Sequence, residues 1–322
     1  MKLIVTGGSG FIGSNFIDYW LSKYPDDKIT NIDKLTYASN LWFNRFAEKS
    51  QNYRFIKVDI YNSNDLVNAF DDADVVVNFA AESHVDRSIT DPSEFVKSNI
   101  FGVYNLLEMA RKKDFRFHQV STDEVYGSLD SPRSPSFTEE SAYNPRNPYS
   151  AAKASADFLV RSYVNTYGIK ATISNCGNNF GPHQHPEKLI PKTIISALNN
   201  SKISIYGNGR QIRDWVFVED HCSAIELILH RGIAGKTYLI GANNEIRNID
   251  LVKKILEILH KEQNLIEFVK DRPGHDIRYS LSPRKIQEEL GWKPKHSFGE
   301  ALAATVEHYK SNIDIYEKMV KK

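Results

Sequence analysis

Cysteine is nearly absent: Cys176 and Cys222 are the only two among 322 residues. That is too few for a disulfide framework, and neither sits in a cluster with zinc spacing. The expected setting is a reducing cytoplasm, with both thiols buried and inert and no metal site. The chain also lacks a charge excess. Its 41 Lys and Arg face 40 Asp and Glu. No basic field is available for nucleic acid or an anionic membrane, so an anionic ligand must be caught by local groups. No apolar run approaches the length needed to span a bilayer. The opening "MKLIVTGGSGFIG" starts like a secretion signal, but its apolar stretch breaks at Gly7 and no small-residue cleavage site follows. Internal repeats and low-complexity segments are missing as well. What is present is a chain long enough to bury a sizeable core as one large domain or two lobes.

The first half alternates. "KLIV", "KITNI", "YRFIKV", "DVVVNF" and "FRFHQV" read as short buried strands. Longer stretches with helical spacing separate them, such as "FIGSNFIDYWLSKY" and "PSEFVKSNIFGVYNLLEMARKK". This pattern predicts an α/β fold with a parallel sheet covered by helices on both faces. From about Asn175 the pattern changes to short strands, Gly- and Pro-containing loops and amphipathic helices. The expected division is 1–175, rejoined by part of 214–232, and a smaller lobe at 176–322.

Strand one runs directly into "TGGSGFIG", with Gly7, Gly10 and Gly13 in G-x-x-G-x-x-G spacing. After a strand and opening a helix, such glycines allow a tight turn and close backbone approach to a pyrophosphate. Asp33 ends the second strand, 20 residues beyond Gly13. A carboxylate there accepts from adenosine ribose hydroxyls and repels a 2′-phosphate. These features together predict a Rossmann-type doubly wound sheet that holds NAD; the adjacent Lys34 leaves an opening for NADP. "YSAAK" places Tyr149 and Lys153 four apart, on one helical face behind "NP". A lysine ammonium beside a phenol favours the phenolate, so Tyr149 is expected to serve as a base.

Joined to the glycine loop, Y-x-x-x-K resembles the extended short-chain dehydrogenase/reductase family, whose hydroxyl residue at a preceding strand end matches Thr122. That residue lies in "STDEVYG", where Asp123 and Glu124 stand side by side. Sugar-nucleotide 4-epimerases of this family need no such acid pair. Removal of water across C5 and C6 of a 4-keto sugar does, since one group takes the C5 proton and the other protonates the departing hydroxyl. "TGGSGFIG", "DKLTYA", "AAESHVDRS", "STDEVYG", "PYSAAKA", "NNFGP", "EKLIP", "QIRDWVFVEDH" and "DRPGHD" resemble, in order and spacing, the nucleotide-sugar 4,6-dehydratases of that family. A short loop between Gly127 and Phe137 and Phe180 in place of a common Tyr are the departures.

The resemblance implies NAD as cofactor and dTDP-glucose as substrate, converted to a 4-keto-6-deoxy product that supplies deoxysugar biosynthesis such as that of rhamnose. It implies cofactor contacts at Gly7, Gly10, Phe11, Ile12, Gly13, Asp33, Lys34, Leu35, Thr36, Asp59, Ile60, Ala80, Ala81, Glu82, Tyr149, Lys153 and Asn179. It implies catalysis by Thr122, Asp123, Glu124, Tyr149 and Lys153, with Tyr149 as C4 base, Glu124 as C5 base and Asp123 as C6 acid. The nucleotide sugar would meet Ser83, Thr122, Asn178, Lys188, Leu189, Ser204, Tyr206, Arg213, Asn248, Arg272 and His275. His84 reads as structural. Other readings stay open at this point: a 4-epimerase, a decarboxylase of a nucleotide uronate, a dehydratase of another nucleotide, or a non-catalytic NAD-binding scaffold. Spacing does not distinguish thymine from uracil. Finally, Phe95, Val96, Ile100, Phe101, Val103, Leu106 and Leu107, with Ala151, Ala154, Phe158, Leu159 and Val164, give two helices more apolar surface than one sheet face can cover. A homodimer through a four-helix bundle is the expectation.

Overall fold

The structure, a computed structural model, describes residues 1–62, 66, 70, 72–131, 133–271 and 274–320. Six strands come first: β1 Lys2–Thr6, β2 Lys28–Asp33, β3 Tyr53–Lys57, β4 Val75–Asn78, β5 Arg116–Thr122 and β6 Ala171–Cys176. β7 Asn178–Phe180, β8 Ile203–Tyr206 and β9 Ile212–Phe217 leave this sheet, and β10 Thr237–Ile240 returns to it. The order is β10-β6-β5-β4-β1-β2-β3, and every pair is parallel. This is the doubly wound arrangement expected. The chain direction across the sheet reverses between β1 and β4, and that is where such sheets open a crevice for ligand.

Alternation along the strands assigns the two faces. Leu3, Val5, Val75 and Val77 pack under Phe16, Ile17 and Trp20 of helix Phe11–Lys23 and Ile225 and Leu229 of helix Val218–Arg231. Ile4, Val76, Phe117 and Ile173 face Leu106, Leu107, Val160 and Tyr163 on helices Val103–Lys113 and Pro148–Tyr167. With both faces covered, the strands can be apolar throughout, which is why they read as short continuous runs. Near the strand ends the side chains become polar and satisfy one another. Thr6 Oγ1 donates to Asn78 Oδ1 at 2.6 Å, and Asn78 Nδ2 donates to Gln119 Oε1 at 2.8 Å.

Two later segments complete this layer. Helix Val218–Arg231 falls within the stretch expected to rejoin the sheet, whereas β10 lies just beyond it. The remaining elements form the smaller lobe. With β11 Glu245–Arg247 and β12 Ile266–Val269, it holds a three-stranded sheet, β11-β9-β7, and a parallel pair, β12-β8. Helices Leu189–Leu198, Asn248–Ile258, Phe298–Ser311 and Ile313–Val320 close a second core containing Ile194, Leu251, Ile255, Leu302 and Tyr309.

The helical pattern read across 93–113 is not one regular helix. Lys97–Gly102 is a π-turn between Ser93–Val96 and Val103–Lys113. A Cβ on Gly102 would sit 2.6 Å from Ile60 Cδ1, so glycine allows this turn to close on the strand β3 exit. Much of the apolar surface assigned to a dimer seam is used inside the chain. Phe95, Val103, Leu106, Leu107 and Ala154 are buried in its own cores, while Val96, Phe101 and Phe158 remain exposed. No helix among the described residues is long and apolar enough to cross a membrane.

Candidate active site

At the switch point, Gly7 carries the chain from β1 into the loop with φ +71°, and a Cβ there would lie 2.5 Å from Ala80 N. Gly13 brings the helix onto that loop, where a Cβ would meet Gly7 O at 2.3 Å. Gly10 N-caps helix Phe11–Lys23 without a side-chain cap, leaving its first-turn N–H groups toward the crevice mouth. A side chain at Gly7 or Gly13 would collide with backbone, and the free N–H groups of such a turn suit a dinucleotide pyrophosphate.

Asp33 is buried at the end of β2. Oδ2 accepts from Ser9 N at 3.0 Å, and Oδ1 accepts from Leu35 N at 2.8 Å and Ser39 Oγ at 3.0 Å. Burial raises its pKa and these donors work against the rise. The carboxylate is thus fixed before any ligand arrives, with acceptor capacity remaining for ribose hydroxyls. Lys34 Nζ lies 3.5 Å from Asp59, 3.7 Å from Glu82 and 3.9 Å from Glu94. Three acids flank Lys34, the cation beside Asp33, so the opening for NADP narrows. Asn99, in the π-turn, clamps the Glu82 backbone through both its amide atoms at 2.9 Å. All the sequence-assigned cofactor residues line this cleft except Leu35, whose positive φ and hydrogen bond serve Asp33 instead.

The reacting groups gather where β5 ends. Thr122, its last residue, donates from Oγ1 to Asp123 Oδ1 at 3.1 Å and accepts from Glu124 N at 3.3 Å. This hydroxyl caps the 3₁₀ turn Asp123–Tyr126 and so holds both acids. Asp123 is buried, and burial followed by the neighbouring Glu124 raises its pKa well above the carboxylate range. Its Oδ2 is buried with no hydrogen-bond partner. Burial and the neighbouring carboxylate thus both favour the neutral form of Asp123. Glu124, half-buried, accepts from Asn147 Nδ2 at 3.4 Å. Asn147 is also the N-cap of helix Pro148–Tyr167, where it forms a reciprocal capping box with Ser150. One residue thus fixes the start of the helix that carries Tyr149 and reaches the acid opposite.

Tyr149 and Lys153 are both buried on that helix. Lys153 Nζ donates to Val120 O at 2.7 Å. The phenol of Tyr149 is pushed well above its ordinary pKa, first by burial and then by Glu124, against a hydrogen bond from Thr122. Burial and Glu124 thus act against the phenolate that the adjacent Lys153 is expected to favour. Asn179 closes the floor. Its Nδ2 donates to Gly177 O at 3.1 Å, and its Oδ1 lies 2.9 Å from Nδ1 of His221. Cys176 and Cys222 are free and buried, and burial pushes the Cys176 thiol up to about 12.

A second cleft of about 690 Å³ opens between the sheet and the smaller lobe. Ser83, Glu124, Asn178, Lys188, Leu189, Ser204, Tyr206, Arg213, Asn248 and His275 line it. Arg213 is buried, with its guanidinium 4.2 Å from the Tyr279 ring centre and donating to the Ile212 and Asp276 carbonyls. A rigid buried cation and the unpartnered Oδ1 atoms of Asn178 and Asn248 suit a polar, anionic ligand. Arg272 lies outside the described residues. His84 caps helix Val85–Thr90, accepting from Arg87 N at 3.4 Å, as a structural histidine would. Sequence reading missed Tyr37, Glu187 and Tyr279 in the cleft walls. Glu187 stood in the quoted "EKLIP", but no spacing rule marks it. No group of His, Cys, Asp and Glu suited to a metal ion occurs among the described residues.

Residues 4–305 match the family model described as GDP-mannose 4,6 dehydratase. Over 335 residues the chain is 47% identical to the dTDP-glucose 4,6-dehydratase of Haemophilus influenzae, covering 97% of this chain and 98% of that one. It is 43% identical to an Escherichia coli protein of the same name over 99% of its length and 96% of the relative's. The chain belongs to the dTDP-glucose 4,6-dehydratase family. A solved member, DesIV of Streptomyces venezuelae with NAD and dTDP bound, superposes with a TM-score of 0.96 at 43% identity, covering 99% of this chain and 100% of that one. The UDP-glucose 4-epimerase of Thermotoga maritima matches at a TM-score of 0.90 and 27% identity, over 97% and 100% of the two chains. The architecture is common to dehydratases and epimerases, so the fold alone does not separate their chemistry.

Proposed function

We propose that the protein is an NAD-dependent hydro-lyase that converts dTDP-glucose to dTDP-4-keto-6-deoxyglucose. The observation that carries this reading is the placement of Asp123, a buried carboxyl whose Oδ2 has no hydrogen-bond partner, beside Glu124 in the turn capped by Thr122, where burial favours its neutral form. An epimerase has no use for a general acid there. The cleft's glycine cradle and pre-set Asp33 fit NAD. Bound NAD supplies a two-electron acceptor for the C4 hydride and later donates that hydride at C6, so no external reductant is consumed.

The chain's own residues handle the protons. Tyr149 takes the C4 hydroxyl proton, with Thr122 oriented toward the same oxygen. The resulting ketone acidifies C5–H, and Glu124 removes that proton. Asp123 delivers its proton to the C6 hydroxyl, the C6–O bond breaks and water leaves. Glu124 then returns a proton to C5. Arg213, Lys188 and Arg272 hold the diphosphate, and Asn248, His275, Ser204 and Tyr206 border the nucleoside. Residues 1–175 serve the cofactor, and 176–322 the nucleotide sugar, apart from the two segments that rejoin the sheet.

Two copies pair through the helical stretch 93–110 and helix Pro148–Tyr167. Phe101 and Phe158, 52% and 54% exposed, support that assembly. A reducing cytoplasm suits its two free thiols. The test is to add dTDP-glucose, UDP-glucose and GDP-mannose separately to purified protein without reductant. A 4-keto product from dTDP-glucose, formed fastest of the three, is expected. A 4-epimer as product, or preference for another nucleotide, overturns the reading.

A further inference from the structure

Beneath the reacting groups lies an acid that the chemistry above does not use. Asp157 is fully buried on the helix of Tyr149 and Lys153, four residues beyond the lysine. At i, i+4 and i+8 the three share one helix face. Asp157 Oδ2 accepts from Ser121 Oγ at 2.8 Å, Tyr143 Oη at 3.0 Å and Asn175 Nδ2 at 3.1 Å. Ser121 directly precedes Thr122, and the same Asn175 amide also donates to Thr122 O at 3.1 Å. Asp157 therefore ties the catalytic helix to the strand end that presents Thr122, Asp123 and Glu124. Its Oδ1 is buried with no hydrogen-bond partner.

A buried carboxyl with only neutral donors would favour its protonated form. The charge that compensates it is Lys153. Burial pulls the pKa of Lys153 down and Asp157 acts to raise it, while burial pulls Asp157 up and Lys153 acts to lower it. The attraction runs through space, because the Lys153 ammonium donates to Val120 O. We propose that Asp157 is a positioning residue for the reaction: it keeps Lys153 protonated and aimed at the Tyr149 end of the cleft, and so sets the alkaline limit of turnover. This rests on the dehydratase reading for its consequence, not for its geometry.

The groups that face this pair are few. Cys176 on β6 acts on Lys153. Tyr143 and Tyr126 face Asp157 from the loop and the 3₁₀ turn. Arg161, one turn further along the helix, donates to Tyr143 Oη at 2.8 Å and is the only other cation in this chain of contacts. The tyrosines hold their protons, raised by burial. Lys153 and Asp157 are thus the oppositely charged pair of this network, each acting against the effect of burial on the other.

The test uses Asp157→Asn, which keeps an acceptor for part of the network and removes the charge, and Asp157→Glu, which keeps the charge. Protein labelled with ¹³Cε-lysine reports the Lys153 titration directly, its resonance assigned by its loss in Lys153→Met. The Lys153 midpoint is expected to fall by about one pH unit or more in Asp157→Asn, the effect of removing one nearby opposite charge, and to return toward wild type in Asp157→Glu. The alkaline limb of the kcat profile should move down by a similar interval, with little change in KM. An unchanged Lys153 midpoint in folded Asp157→Asn overturns the proposal, as does a uniform loss of rate at all pH values. If wild-type protein does not dehydrate dTDP-glucose, the functional reading fails, yet the titration still decides the role of Asp157.

Discussion

Asparagine at 123 and glutamine at 124 separate the two acids with the least disturbance. Asp123→Asn preserves Oδ1, which accepts from Thr122, and replaces the unpartnered Oδ2 with an amide that cannot give up a proton in turnover. Glu124→Gln likewise preserves an oxygen for Asn147. Neither change leaves a new charge in the core. The expected loss for each is that of a positioned acid or base, about 10²- to 10⁴-fold, or about 3 to 5.5 kcal/mol of barrier. The two losses should differ in kind. Glu124→Gln should still pass the C4 hydride, because Tyr149 and Lys153 remain, but should not exchange the C5 proton with heavy water. Asp123→Asn should exchange C5 and lose water slowly, so that reduced nicotinamide accumulates. Stopped-flow absorbance and mass spectrometry of the sugar read the two steps. The sign of the pH dependence follows from Asp123. Its pKa is raised and it acts when protonated, so elimination should persist above the ordinary carboxylate range and fade at higher pH. Wild-type turnover in both variants would refute the assignment of chemistry to this pair, and loss of C4 oxidation in both would make them binding residues.

Asp33→Asn should weaken NAD about ten- to a hundredfold by removing charge-assisted acceptance from the ribose, measured by cofactor retained after gel filtration; equal NAD and NADP affinity in the unmodified protein would refute the role of Asp33. Phe101→Glu with Phe158→Glu should halve the mass seen by light scattering, and an unmodified protein that is already monomeric at micromolar concentration would sink the dimer. Asp18 concerns stability. Burial raises its pKa from 3.8 to about 7, so the folded protein keeps a proton that the unfolded chain releases, and stability falls as pH rises through that window. Asp18→Asn removes that loss, which amounts to at most about 4 kcal/mol and about 6 °C in Tm for a chain this long. Parallel Tm-against-pH curves for the two proteins would count against it.

The elements easiest to read in the sequence were those whose signals are local. The first five strands, the glycine turn and the Asn147 helix start each carry their cause within a few residues, and all form where expected. The π-turn at Lys97–Gly102 has no such signature, because it answers to Ile60, over thirty residues away. The same limit applies within the site. Spacing placed Tyr149 and Lys153 on one face. It could not show that burial and Glu124 raise the pKa of the phenol, since that depends on how the rest of the chain closes over the helix. The "NP" pair marked the helix start, but nothing in it showed Asn147 as the partner of Glu124. Leu35 came from the resemblance alone, and no spacing rule showed that its N–H holds Asp33.

The return of β10 to the sheet has a consequence for anyone dissecting the molecule. Thr237–Ile240 covers β6 in register from Ile173 to Cys176, and every residue of β6 is buried. A fragment ending at residue 176 would therefore expose a flat, apolar strand with open backbone donors and acceptors, a template for pairing with further copies of itself. It would also lose helix Val218–Arg231 from one face of the sheet. The smaller lobe is threaded into the seven-stranded layer rather than appended to it, so a fragment of that layer alone would precipitate instead of folding, and engineering that exchanges the lobe must keep residues 218–240 with the sheet.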